Sequence, residues 1–185
     1  GHSMLSDRDN FNDVATLDYS FETNGIQFLM LDGVSSRSDP QTEGGRVLSD
    51  QQFNWLENSL YAYKNTGLTI VATGSSLELG DKDWGWKKGY KEDYNQLRSL
   101  INVYDNVIVL MGDIHKNATV KPNNDDVRFY ELVSSGVAKS GNFLVLDISK
   151  HVEASNGWIV EYKHYGDRMH GIHQQREGWF ILGSQ

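Results

Sequence analysis

Two short apolar runs constrain this chain more than any other feature: residues 68–73, "LTIVAT", and 106–111, "NVIVLM". Both are too short for helices and rich in β-branched residues, which is the signature of strands buried on both faces. Between them Tyr90, Tyr94, Leu97, Leu100 and Ile101 recur at helical spacing. Strand, helix and strand in that order predict a crossover unit whose strands run parallel in one sheet.

Upstream, residues 17–22 and 25–31 read as two strands joined at Thr23-Asn24-Gly25, where Asn-Gly favours a tight hairpin turn. Ser49-Asp50-Gln51-Gln52 has the pattern of a capping box, and Phe53, Leu56, Leu60 and Tyr63 continue as a helix until Asn65-Thr66-Gly67. Further strands are expected over 127–133, 142–148 and 158–164, in an antiparallel arrangement; the tail from Tyr165 has no assignable pattern. The whole reads as an α/β chain. Its 185 residues, 38% hydrophobic and 23% charged, suffice for one packed domain. Gly1-His2-Ser3 before Met4 reads as the leftover of an expression tag, which leaves residues 4–185 as that domain.

Lys plus Arg number 17 against 25 Asp plus Glu, a net charge of -8. Such a chain is a poor general binder of nucleic acid or of an anionic membrane. No apolar run approaches the ~18 residues of a membrane span. Cysteine is absent, so any metal must be held by oxygen and imidazole ligands.

Ligands of open α/β sheets sit beyond the carboxyl ends of the strands. Four polar stretches fall there: Asp32 with Arg37, Gly74-Ser75-Ser76, Gly112-Asp113-Ile114-His115, and Ser134-Ser135-Gly136. In the third, Gly112 lets the chain turn so that Asp113 and His115 converge. A carboxylate with an imidazole suits Zn, Fe or Mn. An Asp-x-His triplet is nevertheless short and common, and on spacing alone a polar turn explains it better.

Taken in order, "FLMLDGVSSR", "LSDQQFNWLENSL", "TIVATGS", "DWGWKKGYKEDYNQL", "NVIVLMGDIHKNA" and "YELVSSGVA" resemble the C-terminal half of PhoD-type alkaline phosphatases, within the calcineurin-like metallophosphoesterases. The resemblance spans residues 17–137. It implies part of an α/β/β/α sandwich with mixed sheets and Fe, Ca, Zn or Mn ions held by loops at the sheet edge. It also implies hydrolysis of phosphate mono- or diesters by metal-activated water. Asp113 and His115 match the family's last metal motif, which makes them the implied metal ligands and catalytic residues. Arg37, Trp84 and Ser134 are the implied contacts to a phosphate ester substrate. Glu131 matches a family glutamate, facing the site or pairing with a lysine. Relatives are often exported, so a periplasmic or secreted home is the matching expectation.

The departures are as specific as the matches. The family's first three metal motifs precede the "YSF" strand, and here only the acidic residues 7–13 lie there, without a histidine. Gly74-Ser75-Ser76 lacks the histidine expected at that strand end, and Arg37 is displaced along its loop. The chain is therefore expected to hold one half of a two-metal centre, to bind metal incompletely or not at all alone, and to show little phosphatase activity. A second reading is a non-catalytic module of the same ancestry. It would take a partner, the missing half or a second copy on an exposed sheet edge. A third is a small-ligand or polysaccharide binder using the Trp84/Trp86 loop. In the resemblance that loop, with Tyr90, lies near the mouth of the site, where its aromatics stack on a substrate group and Lys87 or Lys88 meets an anion. Burial of the tryptophans explains the same cluster. His164, His170 and His173 read as a polar tail. A helical metal pair at His170 and His173 is opposed by Gly166 and Gly171.

Overall fold

A computed structural model describes residues 2–3, 17–39, 45–79, 85–123, 126–134, 141–152, 157–167 and 172–183. One sheet contains β1 (His2–Ser3), β2 (Tyr19–Thr23), β3 (Ile26–Met30), β4 (Leu68–Thr73), β5 (Val107–Met111), β6 (Ala118–Val120) and β7 (Tyr130–Val133). Their spatial order is β1-β2-β3-β4-β5-β7-β6. Strands β3, β4, β5 and β7 are parallel, while β1, β2 and β6 join antiparallel. A second, antiparallel sheet is formed by β8 (Phe143–Lys150), β9 (Trp158–Asp167) and β10 (Ile172–Leu182), with β9 in the middle. The helices are α1 (Asp50–Tyr63), α2 (Trp86–Gly89) and α3 (Lys91–Ile101).

Side-chain alternation along the parallel strands sorts the layers. Leu29, Val71, Val109 and Val133 point to one face and pack with Phe53, Leu56 and Leu60 of α1 and Tyr94, Leu97 and Ile101 of α3. Their neighbours Ile26, Leu68, Ile70, Ile108 and Leu132 point to the other face, against Trp158, Val160, Tyr162, Phe180 and Leu182 of the second sheet. The result is an α/β sandwich with a mixed sheet in the middle, as the sequence predicts. Parallel strands buried on both faces explain why "LTIVAT" and "NVIVLM" carry apolar side chains on both faces, with Thr69 and Thr73 the polar exceptions in the first.

Local chemistry sets the boundaries. Asn24 (φ 52°) and Gly25 (φ 76°) both take the left-handed region that a two-residue hairpin turn demands. At the start of α1 the Ser49 Oγ accepts the Gln52 N–H at 3.2 Å, and Gln52 Oε1 accepts the Ser49 N–H at 2.9 Å. Ser49→Ala is expected to cost about 1 kcal/mol of stability in urea unfolding, and Ser49→Thr to recover most of it. An unchanged midpoint in the alanine variant would show that the cap contributes nothing.

Some elements differ from the sequence expectation. The strand expected from Val127 starts at Tyr130, and β9 runs on to Asp167. β6 has three residues, too few to show a period. β10 begins in the polar stretch containing Gln174, Gln175, Arg176 and Glu177, where no alternation is visible. His2–Ser3, read as a tag leftover, pair along β2 at Tyr19 and Ser20. Among the described residues no helix is long and apolar enough to cross a membrane.

Candidate functional site

The carboxyl ends of β3, β4 and β5 lie side by side, because these strands pair in parallel register. The first three polar stretches therefore emerge at one sheet edge. After β3 the Asp32 carboxylate accepts the N–H groups of Leu17, Val34 and Ser35, each at 3.0 Å. Partial burial opposes its charge, but these bonds, with the Ser35 side chain, hold the carboxyl below its ordinary value. Asp32 is thus the former of the turn that presents Arg37. The Arg37 guanidinium lies over the Tyr90 ring at 4.9 Å and its Nε donates to the Tyr90 hydroxyl at 3.0 Å. That hydroxyl donates onward to the Ser38 carbonyl at 2.8 Å.

Arg37, Gly33, Thr73, Gly74, Ser75 and Trp86 border a small cleft of about 40 Å³. At ~10–15 Å³ per water this has room for about three waters, the scale of an oxyanion and not of a whole substrate. A roomier cleft of about 270 Å³ opens at the opposite edge of the sheet, by Lys64, Tyr104 and Asp105, away from every predicted site residue.

Ser75 links the second stretch to the third: its Oγ donates to Asp113 Oδ2 at 3.3 Å. The turn after β5 is unusual. Asp113 (φ 69°) and His115 (φ 52°) are both left-handed, and the intervening Ile114 N–H donates to the Gly112 carbonyl at 2.9 Å. Asn24 is the other described non-glycine residue in that region. Left-handed non-glycine residues are uncommon and concentrate at ligand sites. Asp113 is half-buried and His115 exposed.

Ser134 leaves β7 at the same edge, its N–H donating to the Met111 carbonyl at 3.1 Å. Ser134 Oγ donates to Asn117 Oδ1 at 2.8 Å. The Asn117 amide in turn donates to the Tyr165 carbonyl at 2.7 Å and to Gln175 Oε1 at 2.9 Å. Asn117 thus ties the two sheets together, and the Ser134 proton is engaged in that knot. Trp84 and His170 lie outside the described residues. Trp86 is 2% exposed and packs in the core on the helix side. Lys87 pairs with Glu78 at 3.7 Å.

Two expectations are corrected. Glu131 neither faces the cleft nor meets a lysine. It is fully buried and accepts bonds from Ser76 Oγ at 2.5 Å, Leu77 N–H at 3.0 Å and Glu78 N–H at 2.9 Å. It points to the helix side of β7, where the loop after β4 closes over it. Burial pushes its carboxyl up, with the Ser76 hydroxyl and the two backbone donors opposing. His164 is no tail residue either. It is fully buried between the sheets, with Nε2 3.1 Å from Thr119 Oγ1. Residue 173 lies in a strand, which removes the helical pairing of His170 with His173.

Asp113 and His115 are two donors, and a structural or catalytic transition-metal site ordinarily takes three or more from the protein. Among the described residues no group of three His, Asp or Glu is placed to hold a metal ion. The described residues therefore do not fit a complete metal centre.

No family model matches the chain, and no curated protein does. A solved structure of a Staphylococcus aureus protein provisionally assigned as a 5'-nucleotidase, in complex with alpha-ketoglutarate, aligns over 88% of this chain and 28% of its own. The identity is 8% and the TM-score 0.35, a likeness too loose to bear on fold or activity.

The Tyr90 and Asn117 contacts escape sequence reasoning. Asn117 was visible as the last polar residue of "GDIHKN". Tyr90 falls on the apolar face of a helical pattern, which hides its hydroxyl.

Proposed function

We propose that this chain is the C-terminal portion of a phosphoester hydrolase of the metallophosphoesterase kind, PhoD-like in its motif order, and that it supplies one wall of the site. The observation that supports this best is the junction at the sheet edge. The Ser75–Asp113 bond joins the Arg37 cleft to a left-handed Asp-x-His turn. Arg37 offers a planar cation beside the Thr73 and Ser75 hydroxyls, a donor set suited to a phosphate oxygen. Asp113 and His115 offer a carboxylate and an imidazole for a divalent or trivalent cation whose other ligands come from outside the described residues. By itself the chain is expected to release phosphate from a nitrophenyl ester no faster than buffer does.

Metal content tests the assignment. After incubation with Zn²⁺ or Mn²⁺ and desalting, mass spectrometry should find metal in the wild-type chain and roughly 10-fold less in His115→Ala. Equal content in the two proteins removes Asp113 and His115 as donors. Enzyme-like turnover of the nitrophenyl ester by the chain alone would overturn the one-wall reading. The incomplete donor set favours a second reading, an interaction module of the same architecture without catalysis. Metal-free protein under every loading condition would select it.

A further inference from the structure

The small cleft at the sheet edge has a hydrogen-bonding pattern that says more than its size. Gly33 keeps it open: a Cβ there would lie 3.0 Å from Thr73 Oγ1, 3.6 Å from Val47 Cγ1 and 3.9 Å from the Trp86 ring. The room that a methyl group would fill therefore lies beside the Thr73 hydroxyl. Arg37 borders the same cleft, and Tyr90 fixes its guanidinium, with the ring at 4.9 Å and the hydroxyl accepting Nε at 3.0 Å. Tyr90 is buried, so this support is rigid.

Ser75, also at the cleft, differs from Thr73. A hydroxyl has one proton and two lone pairs, and an ionised carboxylate only accepts. In the 3.3 Å contact with Asp113 Oδ2 the Ser75 proton therefore goes to Asp113. What Ser75 Oγ has left is acceptor capacity. The cleft thus pairs a cation, Arg37, with an acceptor backed by a carboxylate. An anion without a proton satisfies Arg37 but sets oxygen against oxygen at Ser75. An anion that keeps one proton satisfies both. The Asp113 charge acts in the same direction, because it opposes a second negative charge on the ligand.

We propose that this cleft selects the singly protonated phosphoryl group of a phosphate monoester, whose P–OH donates to Ser75 Oγ. Sulfate esters and phosphate diesters carry no such proton and are rejected. Asp113 sets this preference through Ser75, without touching the ligand. The inference rests on the phosphoester reading and narrows its mono- or diester class to monoesters.

The test is an NMR titration of the whole chain, free of metal, with methyl phosphate and methyl sulfate. At pH about 5.5, below the second phosphate pKa of about 6, the two anions share shape and single charge and differ by one proton. The Gly74 and Ser75 amides report binding. Methyl phosphate should bind about 10-fold more tightly than methyl sulfate, and dimethyl phosphate as weakly as methyl sulfate. Asp113→Asn should level methyl phosphate and methyl sulfate, because an amide can donate to Ser75 and release its proton to the ligand. Asparagine tolerates the left-handed angles at 113, so the turn is kept. Gly33→Ala, whose Cβ occupies the cleft, should abolish binding of both anions. Equal binding by the wild-type chain, or a preference that persists in Asp113→Asn, overturns the proposal and leaves the phosphoester reading standing. So does binding that survives Gly33→Ala. Inorganic phosphate binding more tightly than methyl phosphate overturns the monoester as the ligand. Binding of neither anion overturns the proposal and removes the Arg37 cleft from the phosphoester reading as well.

Discussion

Glu131→Leu is expected to lower the unfolding free energy by about 3–5 kcal/mol in urea at pH 7, the largest effect of any single change considered. The carboxylate receives a hydroxyl and two backbone N–H groups, all close to the fully buried Glu131. Leucine leaves these three donors without an acceptor. An unpaired buried donor costs about 1–3 kcal/mol, offset in part by the apolar burial that leucine adds. Glu131→Gln should fall between, because its carbonyl oxygen retains Ser76 and Leu77 while its amide opposes the Glu78 N–H. A leucine variant within ~0.5 kcal/mol of wild type would show that water replaces the lost acceptor. The change reaches the candidate site as well. The loop held by Glu131 begins at Ser76, next to the Ser75 that bonds Asp113. Loosening it should weaken metal retention without altering a single donor.

Acid should unfold this protein partly through His164. Burial, reinforced by Arg176, pushes its imidazole down to about 4 from an ordinary 6.5. The folded state therefore favours the neutral ring. Above pH 6.5 both folded and unfolded rings are neutral and no stability depends on it. As pH falls toward 4 the unfolded ring takes up its proton first, and the folded state loses ground. At about 1.4 kcal/mol per unit, the loss approaches about 3 kcal/mol below pH 4. Geometry agrees with the direction: Nδ1 has no hydrogen-bond partner among the described residues, and Nε2 faces only the Thr119 hydroxyl. Carboxylates contribute to acid unfolding too, so the informative quantity is the difference between wild type and His164→Phe. The stability gap between them should shift by about 3 kcal/mol in favour of the variant from pH 7 to pH 4. A gap independent of pH would exclude His164 from the acid response.

The middle of the fold was legible because its signals are local and agree with one another. "LTIVAT" and "NVIVLM" are strands in any context that buries both faces, and Ser49 with Gln52 writes a helix start in four residues. The hairpin at Asn24-Gly25 is equally local. What escaped depends on partners distant in sequence. β10 is polar over residues 174–177 and reaches the core further on, through Phe180 and Leu182. Glu131 carries no mark that separates a ligand from a loop clamp. Its role follows from where the Ser76–Glu78 backbone returns, more than 50 residues away in sequence. Of the predicted site, Arg37 and Asp113 come to the same edge because parallel register puts their strand ends together. Ser134 follows a strand in the same register, yet Asn117 claims its hydroxyl. That contact between two loops leaves no periodic trace.

The left-handed turn after β5 has a further consequence. Glycine adopts such angles freely, whereas a side chain there costs roughly 1 kcal/mol. Against a net stability of ~5–15 kcal/mol for a typical domain, two such residues are a visible fraction. A designer asked only for a sturdier backbone would write glycine at 113 and 115 and give up the Ser75–Asp113 bond and the contacts of the half-buried Asp113. The chain instead places a carboxylate and an imidazole at two left-handed backbone positions that glycine would occupy without steric cost. Robustness and chemistry make opposite demands on this one turn, and the residues present answer the second.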